Sequence, residues 1–256
     1  MLAQGRVRLN GEICKRAGQR SSAGDVLEVG DRAALPPRIH GAEIVFEDDD
    51  LVVVHKPAGL LTVATLHEHE HTLYSYLSEH LRRPPGNQKL FVVHRLDKFV
   101  SGLLVFAKSE SIQSRLQAQF RKHDIQRRYW AVVEGRVTRD GGTVRSRLAQ
   151  DRSMRMHSTK DEGEGKEAIT HYRVLRRLPT LTCLEITLET GRKNQIRVHL
   201  SEMGHPIVGD RAYGCTTDPL GRIGLHAFCL GFVHPRSGAP MLFRTEPPPQ
   251  FRRYLG

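Results

Sequence analysis

The chain has 256 residues, 39% of them hydrophobic and 26% charged, which suits a soluble globular protein and excludes a disordered or fibrous one. Its 39 Lys and Arg against 28 Asp and Glu leave a formal charge of +11, an excess that favours polyanionic partners. No apolar run approaches the length of a membrane span, and Met1-Leu2-Ala3-Gln4-Gly5-Arg6 shows no apolar signal core, so a cytoplasmic protein is expected.

Residues 1–38 differ in character from the rest. Gly5 to Glu12 reads as a strand closed by an Asn10-Gly11 hairpin turn, and Gly24 to Val29 as a second short strand. Ala34-Leu35-Pro36-Pro37-Arg38 reads as a linker to a second domain, 39–256. There Ile44 to Glu47 and Leu51 to His55 form a pair of strands around Asp48-Asp49-Asp50. Thr72 to Leu81 reads as a helix with Leu73, Tyr76, Leu77 and Leu81 on one face. Ser109 caps a helix from Glu110 to about Lys122, in which Ile112, Leu116 and Phe120 recur every four residues. Strands follow at Gln126 to Glu134, Thr143 to Leu148, Glu167 to Leu175 and Leu181 to Glu189. Arg192 to Met203 reads as a helix that buries Ile196, Leu200 and Met203 and stops at Gly204. Leu225 to Val233 and Met241 to Arg244 are the last strands. Consecutive strands with few helices between them favour an α+β sheet over a doubly wound one.

Cys14, Cys183, Cys215 and Cys229 contain no C-x-x-C pair, which argues against a zinc knuckle or disulfide framework and for reduced thiols. His67-Glu68-His69-Glu70-His71 invites a metal-hydrolase reading, but alternating residues in a loop offer no fixed ligand geometry. No metal is expected. There is no P-loop spacing and no dinucleotide fingerprint after a strand.

The most informative stretch is His94-Arg95-Leu96-Asp97, followed by Lys98 to Gly102 and the apolar run Leu103 to Ala107. A loop carboxylate in front of a rigid strand is well placed for chemistry. Taken alone, Asp97 could be a nucleophile, a base, a metal ligand or a turn residue bonding its own backbone. The wider pattern resembles the RluA-type pseudouridine synthases. It consists of Leu51 to Leu60 with Lys56-Pro57-Ala58-Gly59, His94 to Lys108, Arg128 to Gly135, Gly191 to Leu200, and Gly204 to Asp210 with Tyr213-Gly214. Five segments in this order span about residues 43 to 245. The family usually carries Thr where Val100 stands and His where Asn194 stands. Residues 1–38 resemble the second half of an S4-type RNA-binding domain.

The resemblance implies the pseudouridine synthase fold, a structured RNA substrate (ribosomal or transfer RNA) and catalysis without a cofactor, in a protein expected to be monomeric. Asp97 becomes the catalytic carboxylate at the sugar. Arg197 becomes the partner that keeps Asp97 charged and aimed, since a guanidinium fork can grip both carboxylate oxygens. Tyr129 becomes the ring against an extruded base. Arg95 is expected to point into the RNA, with Lys56, Lys108, Arg128 and Arg192 as phosphate contacts. A non-catalytic RNA-binding protein on the same fold is the competing class, and the intact set Asp97, Tyr129 and Arg197 argues against it.

Overall fold

The computed structural model describes residues 7–10, 12–13, 22, 24–29, 38–66, 68–82, 89–161 and 163–255. The chain divides into two compact units, Met1–Arg38 and Ile39–Gly256. In the first, strand β1 (Val7–Leu9) pairs antiparallel with β2 (Glu12–Ile13) and β3 (Leu27–Val29). Leu9 pairs with Glu12, and Asn10, which follows Leu9, has φ +53°; Gly11 of the expected turn lies outside the described residues. The Asn10 side chain ties the far end by accepting from Val26 N at 2.8 Å and donating to Asp25 Oδ1 at 2.8 Å. Of the expected linker, only Arg38 lies among the described residues; it opens the short strand β4 (Arg38–Ile39).

The remaining elements in chain order are β5 (Ala42–Glu47), β6 (Leu51–Lys56), α1 (Leu73–Arg82), β7 (Phe91–Val92), β8 (Ser101–Ala107), α2 (Glu110–Arg121) and β9 (Gln126–Glu134). Then come β10 (Gly141–Gln150), β11 (Met156–Thr159), β12 (Lys166–Arg177), β13 (Leu181–Leu188), α3 (Gln195–Glu202), β14 (Leu225–Val233), β15 (Pro240–Arg244) and α4 (Pro249–Leu255). Strands β4 to β15 form one mixed sheet in the order β11-β10-β12-β13-β9-β14-β8-β6-β5-β4, with β15 on β14 and β7 on β8. The α+β class follows from this arrangement: among the described strands the ladders are antiparallel except β14 with β8.

The apolar runs in β6 and β8 are continuous because both faces of the sheet are covered. Val52, Val54, Leu104 and Phe106 join one core with Leu73, Leu77 and Leu81 of α1 and Ile196 and Leu200 of α3. Leu51, Val53, Leu103 and Val105 join the opposite core with Ile112 and Leu116 of α2. Side chains alternate across a strand, so one run supplies both cores. Each fully buried Leu contributes about 1.5–3 kcal/mol. Among the described residues no helix is long and apolar enough to cross a membrane.

The parallel pairing requires a glycine. Ser101 and Gly102 open β8 opposite His226 and Ala227 of β14. Gly102 has φ +125°, and a Cβ there would overlap the Ala227 backbone. Only glycine tolerates both the angle and the approach. The crossing therefore anchors the end of the loop that carries Asp97.

Two helices depart from the expected elements. The helix expected over Arg192 to Met203 begins three residues later, at Gln195. Asn194 is left-handed at φ +55°, and the Gln195 side chain accepts from Arg192 N at 2.9 Å, closing a loop ahead of the helix. α4 was not anticipated; it follows directly on Pro247-Pro248. Pro249 occupies the first helical position, where its missing N–H costs nothing.

Candidate active site

Backbone and buried side chains fix the loop before β8. Thr62 donates to Leu96 O at 2.7 Å and accepts from Leu96 N at 3.2 Å. Gly59 N donates to Lys98 O at 2.9 Å, and Val100 N closes a turn on Asp97 O at 3.1 Å. Lys56 completes the clamp. Its Nζ donates to Pro57 O, Leu60 O and Lys98 O at 2.9, 2.7 and 3.1 Å.

This corrects the expectation for Lys56. It is 0% exposed and out of reach of a phosphate. Burial, then the nearby Arg222 charge, lowers its pKa to about 7, against the opposing pull of Asp97. Lys108 is corrected in the same way. Its ammonium pairs with Glu47 at 2.8 Å and is only 6% exposed.

Asp97 stands at the wall of a cavity of about 220 Å³. Arg95, Tyr129, Arg192, Asn194 and Arg197 line the same cavity, with Val100, Leu188 and Leu225 as apolar surface. The fold thus gathers five of the eight expected residues, from the loop before β8, from β9 and from the β13–α3 segment. Arg128 neighbours them in sequence but lies half-exposed near Glu185, at 3.6 Å. Arg192 is exposed and donates from Nε to Glu167 O at 2.8 Å. Arg95 is exposed and makes no hydrogen bond or ion pair among the described residues.

Arg197 behaves differently from expectation. Its fork grips Asp210, with Nε to Oδ2 at 2.6 Å and Nη2 to Oδ1 at 2.8 Å. Nη1 reaches Asn194 Oδ1 at 3.0 Å and Asp97 Oδ2 only at 3.5 Å. The guanidinium lies over the Tyr213 ring, 4.7 Å from its centroid, and the Tyr213 hydroxyl accepts from Asn194 Nδ2 at 2.9 Å. Burial pushes the Arg197 pKa down, but the bonds and charge of Asp210, with the charges of Asp97 and Tyr213, outweigh it and raise it overall. Asp210, 1% exposed, was missed by sequence reasoning. The only signal was an acid inside the Gly204 to Asp210 motif, and a pairing thirteen residues away has no local pattern.

Tyr129 faces Ile186 of β13 and Ala227 of β14 across its ladders. It is buried, and burial raises its pKa, with Arg127 opposing and Asp97 adding to the rise. The phenol is therefore neutral near pH 7. Arg127, two residues earlier, is 8% exposed and stacks over Phe120 at 5.2 Å, while Phe120 packs on His94 at 4.6 Å. The imidazole of His94 accepts from Val105 N at 3.2 Å, and burial together with the Arg127 charge lowers its pKa to about 3. His94 thus shapes the loop as a neutral ring.

In the histidine-rich run, His67 lies outside the described residues. Glu68 Oε1 accepts from Glu70 N and His71 N, at 3.0 and 2.9 Å. Among the described residues no group of His, Cys, Asp and Glu is arranged to hold a metal.

A loop carboxylate, a buried neutral phenol and a locked guanidinium thus share one cavity. The family model described as RNA pseudouridylate synthase matches residues 50–202. Ribosomal large subunit pseudouridine synthase D of Zymomonas mobilis subsp. mobilis is 38% identical over 80% of this chain and 69% of its own length. The protein of that name from Escherichia coli (strain K12) is 33% identical over 95% of this chain and 79% of its own. The solved structure of human RNA Pseudouridylate Synthase Domain Containing 4 shares the fold, with a TM-score of 0.68, 23% identity and coverage of 82% of this chain and 92% of that one. The chain belongs to the RNA pseudouridylate synthase family. It is an isomerase that converts uridine to pseudouridine in RNA.

Proposed function

We propose that this enzyme isomerises a uridine of large-subunit ribosomal RNA, with Asp97 as its catalytic carboxylate. The substrate class is supported by the names of relatives that share 33–38% identity with the chain. The observation that carries the role of Asp97 is its position at the cavity wall, 3.5 Å from an Arg197 whose orientation Asp210 sets.

The reaction breaks the bond between ribose and uracil nitrogen, turns the base, joins it through carbon and moves one proton. Its atoms balance within the substrate. As a nucleophile Asp97 bonds the sugar carbon as the base leaves and is displaced when the base rejoins through carbon; as a base it takes a sugar proton and returns it; both routes need the ionised form beside a fixed cation. Tyr129 packs against the detached uracil, and its neutral hydroxyl is suited to the proton transfer at the new carbon bond. The apolar surface of Val100, Leu188 and Leu225 keeps the loose base dry. Arg95, exposed and unpartnered among the described residues, fills the stack that the uridine leaves. Arg192 and Arg128 remain phosphate contacts in this reading. The unit Met1–Arg38 serves as an S4-like RNA-binding segment, supported by its three-stranded sheet and by Arg6, Arg8, Lys15, Arg16 and Arg20 in its sequence.

The test is Asp97→Asn, which keeps shape and removes charge. RNA affinity should stay close to wild type, and tritium release from labelled uridine should be undetectable. Turnover within tenfold of wild type, a barrier change of only ~1.4 kcal/mol, would refute the role.

A further inference from the structure

Behind the β13–α3 loop lies a second cavity, of about 270 Å³. Four of its lining residues, Arg121, His123, Arg127 and Arg192, are basic, and none is acidic. It shares Gly191 and Arg192 with the Asp97 cavity, so one stretch of loop separates the two.

Arg127 is the informative residue. It is 8% exposed, yet among the described residues its guanidinium makes a single hydrogen bond, Nη2 to Glu189 O at 2.9 Å. Nε is buried without a partner, and among the described residues no carboxylate pairs with the group. A guanidinium carries five donors, and burying one without a counterion is costly unless an anion arrives. Burial lowers its pKa, in keeping with that missing charge. Gly191 lets the guanidinium lie against the loop backbone, since a Cβ there would overlap Arg127 Nη1. The exposed Arg121 and Arg192 stand at the rim.

We infer that this cavity holds a backbone phosphate of the RNA, that of a nucleotide adjacent to the extruded uridine. Arg127 forms its charged floor. A phosphodiester supplies both the negative charge and the acceptor oxygens that the guanidinium lacks. The inference rests on the reading of the Asp97 cavity as the uridine site. It adds a register: with one phosphate held beyond the Gly191–Arg192 wall, the neighbouring base is placed at Asp97.

The experiment uses the full chain and an RNA fragment that the wild-type protein isomerises. Neutral methylphosphonate linkages replace single phosphates on either side of the target uridine. One linkage should weaken wild-type binding about tenfold and leave Arg127→Met unaffected. Arg127→Met should lower the salt slope of binding by roughly 0.7–0.9 units, the share of one phosphate. It should also raise KM for RNA more than it lowers kcat. A variant that melts as wild type does, with an unchanged slope and a reduced kcat, would make Arg127 a brace for Phe120 and His94 and overturn the inference. If Arg127→Met does not fold, the same scan with Arg121→Gln decides: losses that add at every linkage overturn it, and loss of sensitivity at one linkage supports it. Competition by inorganic phosphate at constant ionic strength, with no linkage effect, would mark a free-anion site and also overturn it. A wild-type protein that isomerises no uridine in the fragment would instead fail the reading of the Asp97 cavity.

Discussion

Arg197 can offer its two-armed fork to one carboxylate, and it gives that fork to Asp210. Its third nitrogen is left to face Asp97 at 3.5 Å. Asp210 thus sets the direction of the charge without touching the cavity. Asp210→Asn should let the guanidinium swing. Single-turnover rates are expected to fall at least tenfold, while RNA affinity and its salt slope stay near wild type. Arg197→Met should be worse for stability, because it strands the buried Asp210 carboxylate. Removing one partner of a buried pair costs about 3–5 kcal/mol. The double variant Arg197→Met with Asp210→Asn should regain part of that stability in urea unfolding, since no orphaned charge remains, but none of the turnover. Turnover restored in the double variant would show that Arg197 acts only as scaffolding.

At the scale of elements, the crossing of β8 and β14 supports the catalytic loop from behind. Ser101 and His226, opposite each other there, bond at 2.7 Å; Arg222 donates to the same Ser101 hydroxyl at 2.7 Å, and His226 meets Thr245 at 2.8 Å. Burial, then the charges of His55 and Arg222, lowers the His226 pKa from 6.5 to about 3. The unfolded chain binds a proton near pH 6.5 that the folded chain refuses until about 3. Stability is therefore fully present above the unfolded value and is lost as pH falls through this window. Each pH unit inside it removes about 1.4 kcal/mol from this one group. Between pH 6.5 and 5 the unfolding free energy of His226→Asn should fall less steeply than that of the wild type, by about 1.4 kcal/mol per unit, with His94, held near 3 by its own burial, keeping a slope in both; equal slopes would remove His226 as a cause.

Elements like these were legible where the pattern is local. The Ser109 cap, the four-residue spacing of α2 and the apolar run of β8 each state their own structure. The Asp97 loop was legible through its signature. Lys56 misled because lysine is rarely buried, and the Lys98 carbonyl that it clamps lies forty-two residues away. Asp210 was silent for the same reason, and the left-handed Asn194 delayed a helix that composition alone placed earlier.

For the whole molecule, the +11 charge must work through particular groups, and Lys56 and Lys108 are not among them. Residues 1–38 carry Arg6, Arg8, Lys15, Arg16 and Arg20, while the proposed chemistry lies wholly within Ile39–Gly256. A chain starting at Ile39 should fold, keep the Asp97 cavity and isomerise a saturating RNA at a similar maximal rate. It should bind more weakly at moderate salt. For every phosphate that residues 1–38 neutralise, their removal should flatten the salt dependence by roughly 0.9 units on duplex RNA, if the DNA value transfers. Melting and salt-titrated binding of the two chains separate the alternatives. A truncated chain that is insoluble, or melts many degrees lower, would make residues 1–38 a structural part of the catalytic unit. One that binds at full strength with an unchanged slope would remove them from RNA recognition altogether. A flatter slope with an intact melting temperature is the outcome expected of a segment that adds affinity and leaves the chemistry to Asp97, Tyr129 and Arg197.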